Sequence, residues 1–374
     1  MATLIFPGGY RDQAGHDAIS WRVEGSRRYG LPRMEIFTTT RGTDLRGFDF
    51  DGLEPVDSSA GAEHLPLNQA GELGDCVLSG DLPCTVARVV ERCSVSFVAV
   101  NAEQAEDWNG ASGRHFIEQR ERHERMRGRL TARLLAAAQI QDGENVLDIG
   151  CGCGDATILA ARAACSGQAL GADLSRIQVA EARRLAASAG VINTRFEVAD
   201  AQVHPFQAGN FDLVLSNFGV MFFDDPAAAL GNLRKALRRG GRLAFLCWRT
   251  RDENPFFTIG FAEAAVVLNL RELPGPSAAF SLADIGRVGA LLSGAGFGGI
   301  EFAKADEPML IGRDVDDVLE YERASPSATE LLTGLSPAQA AELAKQVRDC
   351  LVAYASPDGV AMPGAAWLVT AQAE

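Results

Sequence analysis

No two cysteines in this 374-residue chain form a CxxC pair. The eight are scattered at Cys76, Cys84, Cys93, Cys151, Cys153, Cys165, Cys247 and Cys350. The first residues, "MATLIFPGGY", meet Pro7 and Gly8 after a very short apolar stretch, so no secretory signal is read there. Without one, reduced thiols are expected. Long apolar runs are missing too. The best candidate for a membrane span, residues 256–270, is too short and contains Glu263. A basic excess is absent: the formal net charge is −14. Such a surface repels phosphate backbones and anionic lipid, which disfavours nucleic-acid and membrane partners. Internal repeats and low-complexity tracts are also lacking. These absences lead to the expectation of a soluble, cytoplasmic protein.

What is present is an ordinary globular composition, 47% hydrophobic and 22% charged, at a length that suggests about two domains. The chain changes character near residue 105. Residues 1–104 show no sustained period and are rich in turn signals such as "GFDFDG" and "SSAGAE". The alternation in "SVSFVAV", residues 94–100, predicts one strand. A small extra domain, a flexible extension and a start codon placed too far upstream all stay open for this segment.

From Trp108 onward the pattern is regular. A helix is expected over 115–138, with Met126, Leu130 and Leu134 at helical spacing and seven arginines between Arg114 and Arg133. Those arginines read as a solvated face balanced by Glu118, Glu121 and Glu124, against the sharper reading that one of them faces an anionic ligand group. Apolar strands then alternate with helices: "NVLDIG", "QALGAD", "TRFEVAD", "FDLVLSNF" and "GRLAFLCW", with helices over 155–165, 175–189 and 226–239. That order predicts a parallel sheet covered on both faces. Helices over 256–270 and 282–295 follow, then a strand "GIEFAKA", two helices over 315–332 and 337–354, and a last strand "AWLVTAQA".

The stretch "VLDIGCGCGD" carries the functional signal. In an open α/β sheet a ligand sits beyond the carboxyl ends of the strands, where a glycine turn opens a helix. Gly150, Gly152 and Gly154 stand there and let backbone approach a ligand closely. The dinucleotide pattern G-x-G-x-x-G/A needs a small residue at position 155, which is Asp155, a poor neighbour for a pyrophosphate. The spacing is G-x-G-x-G, with Asp148 two residues before it. Acids on both sides suit a ligand that carries positive charge. Asp173, 19 residues after Gly154, ends the second strand and can accept both hydroxyls of a ribose. Asp200 ends the third and can accept from an adenine amine.

With these residues the sequence resembles the class I S-adenosylmethionine-dependent methyltransferases, nearest the bacterial branch of ubiquinone/menaquinone C-methyltransferases and natural-product enzymes. The matching stretches are "VLDIGCGCGDATILAA", "LGADLS", "FEVADAQVHPF", "FDLVLSNFGVMFF" and "LRRGGRLAFLCW", within residues 108–374. The resemblance implies a Rossmann-like seven-stranded sheet with helices on both faces, occupying 105–374. A helical insertion over 314–355 is expected to act as a lid, with a dimer interface as the alternative for those helices. It implies S-adenosyl-L-methionine as cofactor. Asp148, Gly150, Cys151, Gly152 and Gly154 would hold its methionine part, Asp173 and Leu174 its ribose, and Asp200 and Ala201 its adenine. Asn217 and Phe218 would pass beneath the methyl group. The acceptor would be a small molecule, natural-product or quinone-type, methylated on oxygen, carbon or nitrogen. The Asn/Asp-Pro-Pro-aromatic signature of base and amide methylation is absent, and "SNFGV" stands in its place. His115 and His123 are the base candidates, with His204 a third. Cys151 and Cys153 fill loop positions that take many small residues. A zinc site would need about two more ligands, so no metal is expected. An NAD-dependent oxidoreductase and an inactive S-adenosylmethionine-binding module remain the competing readings.

Overall fold

The computed structural model describes residues 2–3, 19–25, 32–38, 101–268 and 278–374. The chain divides into two compact units, Met1–Ser96 and Phe97–Glu374. In the first, β1 (Ala2–Thr3), β2 (Ile19–Gly25) and β3 (Pro32–Thr38) form an antiparallel sheet in that order. Ile19, Trp21 and Val23 alternate with polar residues along β2, and Trp21 faces Ile36 in the register. This is a period of two, in a segment read from sequence as having no sustained pattern. The strand expected over 94–100 lies outside the described residues.

The second unit opens with α1 (Ala102–Asn109), α2 (Ala111–Glu118) and α3 (Arg120–Ala138). The single helix expected over 115–138 is thus broken at Gln119, whose φ of −98° and ψ of 13° leave the helical region. Then come β4 (Asn145–Ile149), α4 (Asp155–Ala163), β5 (Gln168–Asp173), α5 (Arg176–Ser188), β6 (Thr194–Val198), β7 (Phe211–Asn217), α6 (Pro226–Ala236) and β8 (Leu237–Trp248). The rest is α7 (Phe261–Leu268), α8 (Ile285–Gly294), β9 (Phe297–Gly312), α9 (Val315–Ala324), α10 (Pro326–Thr333), α11 (Pro337–Val352), β10 (Ala355–Ser356) and β11 (Gly359–Ala373).

The sheet runs β6-β5-β4-β7-β8-β11-β9, with the two-residue β10 hairpinned onto β11. The first five are parallel, and β11 is antiparallel to both of its neighbours. Val146, Leu147, Leu213, Leu215, Leu243 and Phe245 are fully buried on its two faces, which is why these strands read as continuous apolar runs. Leu130 and Leu134 of α3, and Leu233 of α6, close the core. Helix starts follow ordinary capping: Ser175 accepts from the Gln178 amide, and Asp225 from the Ala227 and Ala228 amides.

Two expectations change at the C-terminal end. β9 and β11 are a long ribbon, 16 and 15 residues, well beyond the short strands expected. The insertion holds three helices, because Pro326 cannot continue α9 and pushes Ser325 to extended backbone (φ −67°, ψ 143°).

The N-terminal edge of this unit lies before the expected boundary at residue 105. Asn101 is buried, with φ of 55°. Its amide donates to Asp224 Oδ2 (2.8 Å), its Oδ1 accepts from the Asp224 amide (2.9 Å), and its Nδ2 donates to Asp200 Oδ1 (2.8 Å). A chain beginning at Phe97 should keep the unit's stability. One beginning at Ala105 should lose about 1–3 kcal/mol for each partner left buried and unpaired. Urea denaturation compares them, and equal midpoints would show that Asn101 is dispensable.

Candidate functional site

The carboxyl ends of β4, β5, β6 and β7 open into one cavity. Its floor is the glycine loop after β4. Gly150 has φ of +64°, and a Cβ there would stand 2.6 Å from the Cα of Gly219, so both positions must lack side chains. The loop is anchored from beneath: the Gly150 and Cys151 amides donate to the Ala172 carbonyl, and Ser216 Oγ donates to the Ile149 carbonyl. Next to it Phe218 holds φ of +67°, strained for a residue with a Cβ. Its ring is buried and stacked on Trp248, with centroids 4.1 Å apart.

Three acids stand around this floor. Asp173 Oδ2 accepts from the Gly152 amide (2.8 Å) and Oδ1 from the Ser175 amide (2.8 Å). Each oxygen keeps a lone pair for a ligand. Burial raises its pKa against those two bonds. Asp200 accepts on Oδ1 only, from Asn101 and the Gln202 amide, and its buried Oδ2 has no partner. Asp148 is 1% exposed and accepts from Thr157 Oγ1 at 2.6 Å, while its Oδ1 has no partner. Burial above all, opposed by Thr157 and assisted by the Asp173 charge, pushes its carboxyl up to about 7.

The opposite wall is built from α1, α2, α3 and the insertion. Trp108, Phe116, His123, Met126, Arg127 and Tyr321 line it. His123 Nε2 and Tyr321 Oη are 2.8 Å apart. Burial first, then the Arg127, His115 and Arg122 charges, hold His123 down at about 3. It is therefore neutral through the physiological range, able to exchange a hydrogen bond but a weak proton holder.

Of the residues expected at the cofactor, the cavity brings together Gly150, Gly152, Asp173, Leu174, Asp200, Ala201, Asn217 and Phe218. Asp148, Cys151 and Gly154 lie behind its surface. The Cys151 side chain packs among Ile158, Val179, Ala182 and Phe196. A Cβ on Gly154 would strike the Phe196 ring at 2.7 Å, so that glycine serves helix packing. Burial raises both loop thiols, Cys153 to about 12. Among the described residues no group of three metal-binding side chains occurs. His123 lines the cavity. His115 does not, although its ring lies 5.5 Å from that of Tyr321. His204 lies apart, 3.6 Å from Glu197 Oε2. Among the lining residues that sequence reasoning missed are Trp108, Phe116, Arg127, Gln178, Phe256, Phe257, Met309 and Tyr321. Trp108 stood at the onset of regular pattern, and Arg127 among the arginines of which one was read as facing an anionic group.

Asp155 opens α4, where its carboxylate is clamped by the Arg120 guanidinium, with Nε at 2.9 Å from Oδ2. The helix start is thus already occupied by negative charge.

The sequence model of the methyltransferase domain matches residues 140–274. This chain is 38% identical over 114 residues to aklanonic acid methyltransferase of Streptomyces sp. strain C5, covering 30% of this chain and 52% of the relative. It is 39% identical over 103 residues to demethylmenaquinone methyltransferase of Thermus thermophilus, covering 28% and 46%. The chain thus spans about half the length of the curated relatives it matches. The solved YcgJ protein of Bacillus subtilis aligns with a TM-score of 0.44 at 18% identity, covering 65% of this chain and 97% of its own. Residues 4–111 match a second model, that of a family of unknown function.

The raised carboxyl of Asp148 has a measurable consequence. Unfolded, it titrates near the usual 3.8. Its folded pKa is higher, so the stability it permits is full below about pH 4 and is lost as pH rises toward 7. Asp148→Asn removes that loss. Between pH 4 and 7 the mutant should gain roughly 2–5 kcal/mol on the wild type, at ~1.4 kcal/mol per pKa unit, in ligand-free chemical denaturation. A difference independent of pH would show that Asp148 is charged in the fold.

Proposed function

We propose that the second unit is an S-adenosyl-L-methionine-dependent methyltransferase acting on a small molecule. The observation that carries this reading is the set of three acids around the glycine loop, Asp148 buried and Asp173 and Asp200 half-buried, with Asp148 Oδ1 and Asp200 Oδ2 left without a partner. A cofactor with a ribose, an exocyclic amine and positive charge fits that donor set. Asp173, with Leu174, would hold the ribose hydroxyls, and Asp200 Oδ2, with Ala201, the adenine amine. Gly150 and Gly152 offer backbone to the methionine part, shaped from behind by Asp148, Cys151 and Gly154. When bound, the cofactor supplies an electrophilic methyl on a sulfonium that leaves as a neutral thioether.

The chain's own task is to align the acceptor, exclude water and accept a proton from it where the nucleophile is oxygen or carbon. Asn217 and Phe218 form the floor under the reacting centre, and Trp108, Phe116 and Trp248 the apolar walls. His123, linked to Tyr321 of the insertion, is the cavity's imidazole and orients the acceptor through hydrogen bonding. His115 supports that ring from outside. The insertion, through Tyr321, serves as part of the lid. Relatives named for aklanonic acid and demethylmenaquinone support a natural-product or quinone-type acceptor. The Asp155–Arg120 pair at the start of α4 disfavours a dinucleotide.

Asp173→Ala should weaken S-adenosylhomocysteine binding by about 1.5–3 kcal/mol for each charged hydrogen bond lost, read by titration calorimetry. Unchanged affinity would reject the ribose assignment.

A further inference from the structure

Of the seven arginines between Arg114 and Arg133, four meet carboxylates: Arg120 with Asp155, Arg122 with Asp317, and Arg129 and Arg133 with Glu307. Arg114 and Arg125 are exposed. Arg127 is different. It is half-buried, it lines the cavity, and no carboxylate lies within ion-pair distance of it among the described residues. Its Nε reaches only the His123 carbonyl one turn back, at a long 3.4 Å. Its guanidinium lies over the Phe116 ring, 5.1 Å from the centroid. The two Nη atoms make no hydrogen bond among the described residues. Water is partly stripped from this charge and no anion replaces it, so burial drives its pKa downward, against the more distant charge of Glu124.

A guanidinium held in this way is a planar fork of unused donors at a cavity wall. The geometry it matches is a carboxylate, which accepts two parallel bonds. We propose that Arg127 is the receptor for a carboxylate of a ligand bound in this cavity. Two sources carry that chemistry under the methyltransferase reading, on which the naming of the ligand rests: the amino-acid end of the cofactor, and an acid group on the acceptor. The guanidinium carbon lies over the Phe116 ring, and His123 and Tyr321 stand on the same wall to meet the rest of the ligand. An exposed arginine would give neither the ring contact nor the reduced hydration.

The test uses the full chain as wild type, Arg127→Gln and Arg127→Lys, with folding checked by circular dichroism. Two probe pairs are titrated by calorimetry. S-adenosylhomocysteine against 5′-methylthioadenosine isolates the amino-acid end of the cofactor. 1-Naphthoate against its methyl ester, with 5′-methylthioadenosine present, isolates an acid on the acceptor side. In Arg127→Gln the preference for the carboxylate member of one pair should fall about 10-fold or more, and the pair that responds names the source. Arg127→Lys keeps the charge without the fork and should recover part of the loss. It also carries the comparison if the Gln variant does not fold. If both preferences are unchanged in a folded variant, the proposal is wrong. Wild-type protein that binds neither S-adenosylhomocysteine nor 5′-methylthioadenosine would instead overturn the methyltransferase reading. The naphthoate pair titrated alone would then decide Arg127 by itself.

Discussion

The contact between Gly150 and Gly219 is the constraint on which the site depends. β4 and β7 are adjacent in the sheet, and β5 and β7 leave β4 on opposite sides. Their carboxyl ends therefore part at this point, and a crevice opens where the strand order reverses. The crevice is as narrow as two backbones allow, because neither glycine has room for a Cβ. Ser216 ties the two loops together, donating to the Ile149 carbonyl and accepting from the Gly219 amide. The same close fit explains Phe218. Its left-handed backbone is unfavourable by itself, and stacking on Trp248 is what holds it.

The electrostatics of the cavity are divided. One side carries Asp173 and Asp200, with Asp148 close behind, none of them paired with a cation among the described residues. The other carries Arg127 over an aromatic ring. Burial raises the pKa of Asp148 and Asp173 and lowers that of Arg127, so the same dry surroundings work against the charge at both ends. A ligand with a cationic centre and an anionic group, placed in the right order, would relieve both at once.

Much of this was legible in the sequence, for physical reasons that differ by element. β4, β7 and the second half of β8 are buried on both faces, so each announced itself as an apolar run, and β5 matches its expected bounds residue for residue. Asp173 and Asp200 were found because a strand end fixes where the next residue must sit. Asp148 was found too, but its place behind the cavity surface depends on the Thr157 hydrogen bond, which leaves no mark in the sequence. Arg127 and Tyr321 were not singled out. They are 194 residues apart in the chain, and only the long ribbon brings them to one wall. That ribbon was itself underestimated, and Pro308 and Pro363 lie in the parts of β9 and β11 beyond the expected strands. In the fold they face each other in the register, in the segment of β11 that has β9 as its only partner.

The β9–β11 ribbon also bears on how such a protein can change. Gly312 and Val360 are partners in the register, so the 47 residues between them leave and return at the same point. Closing that loop is already accomplished by the ribbon, and its entropic cost grows only slowly with the number of residues it contains. The excursion can therefore lengthen, shorten or be exchanged without moving β8 against β11 or disturbing the glycine floor. The excursion and the glycine floor are thus free to change at different rates, one an interchangeable cassette and the other a frame that tolerates almost no added atom.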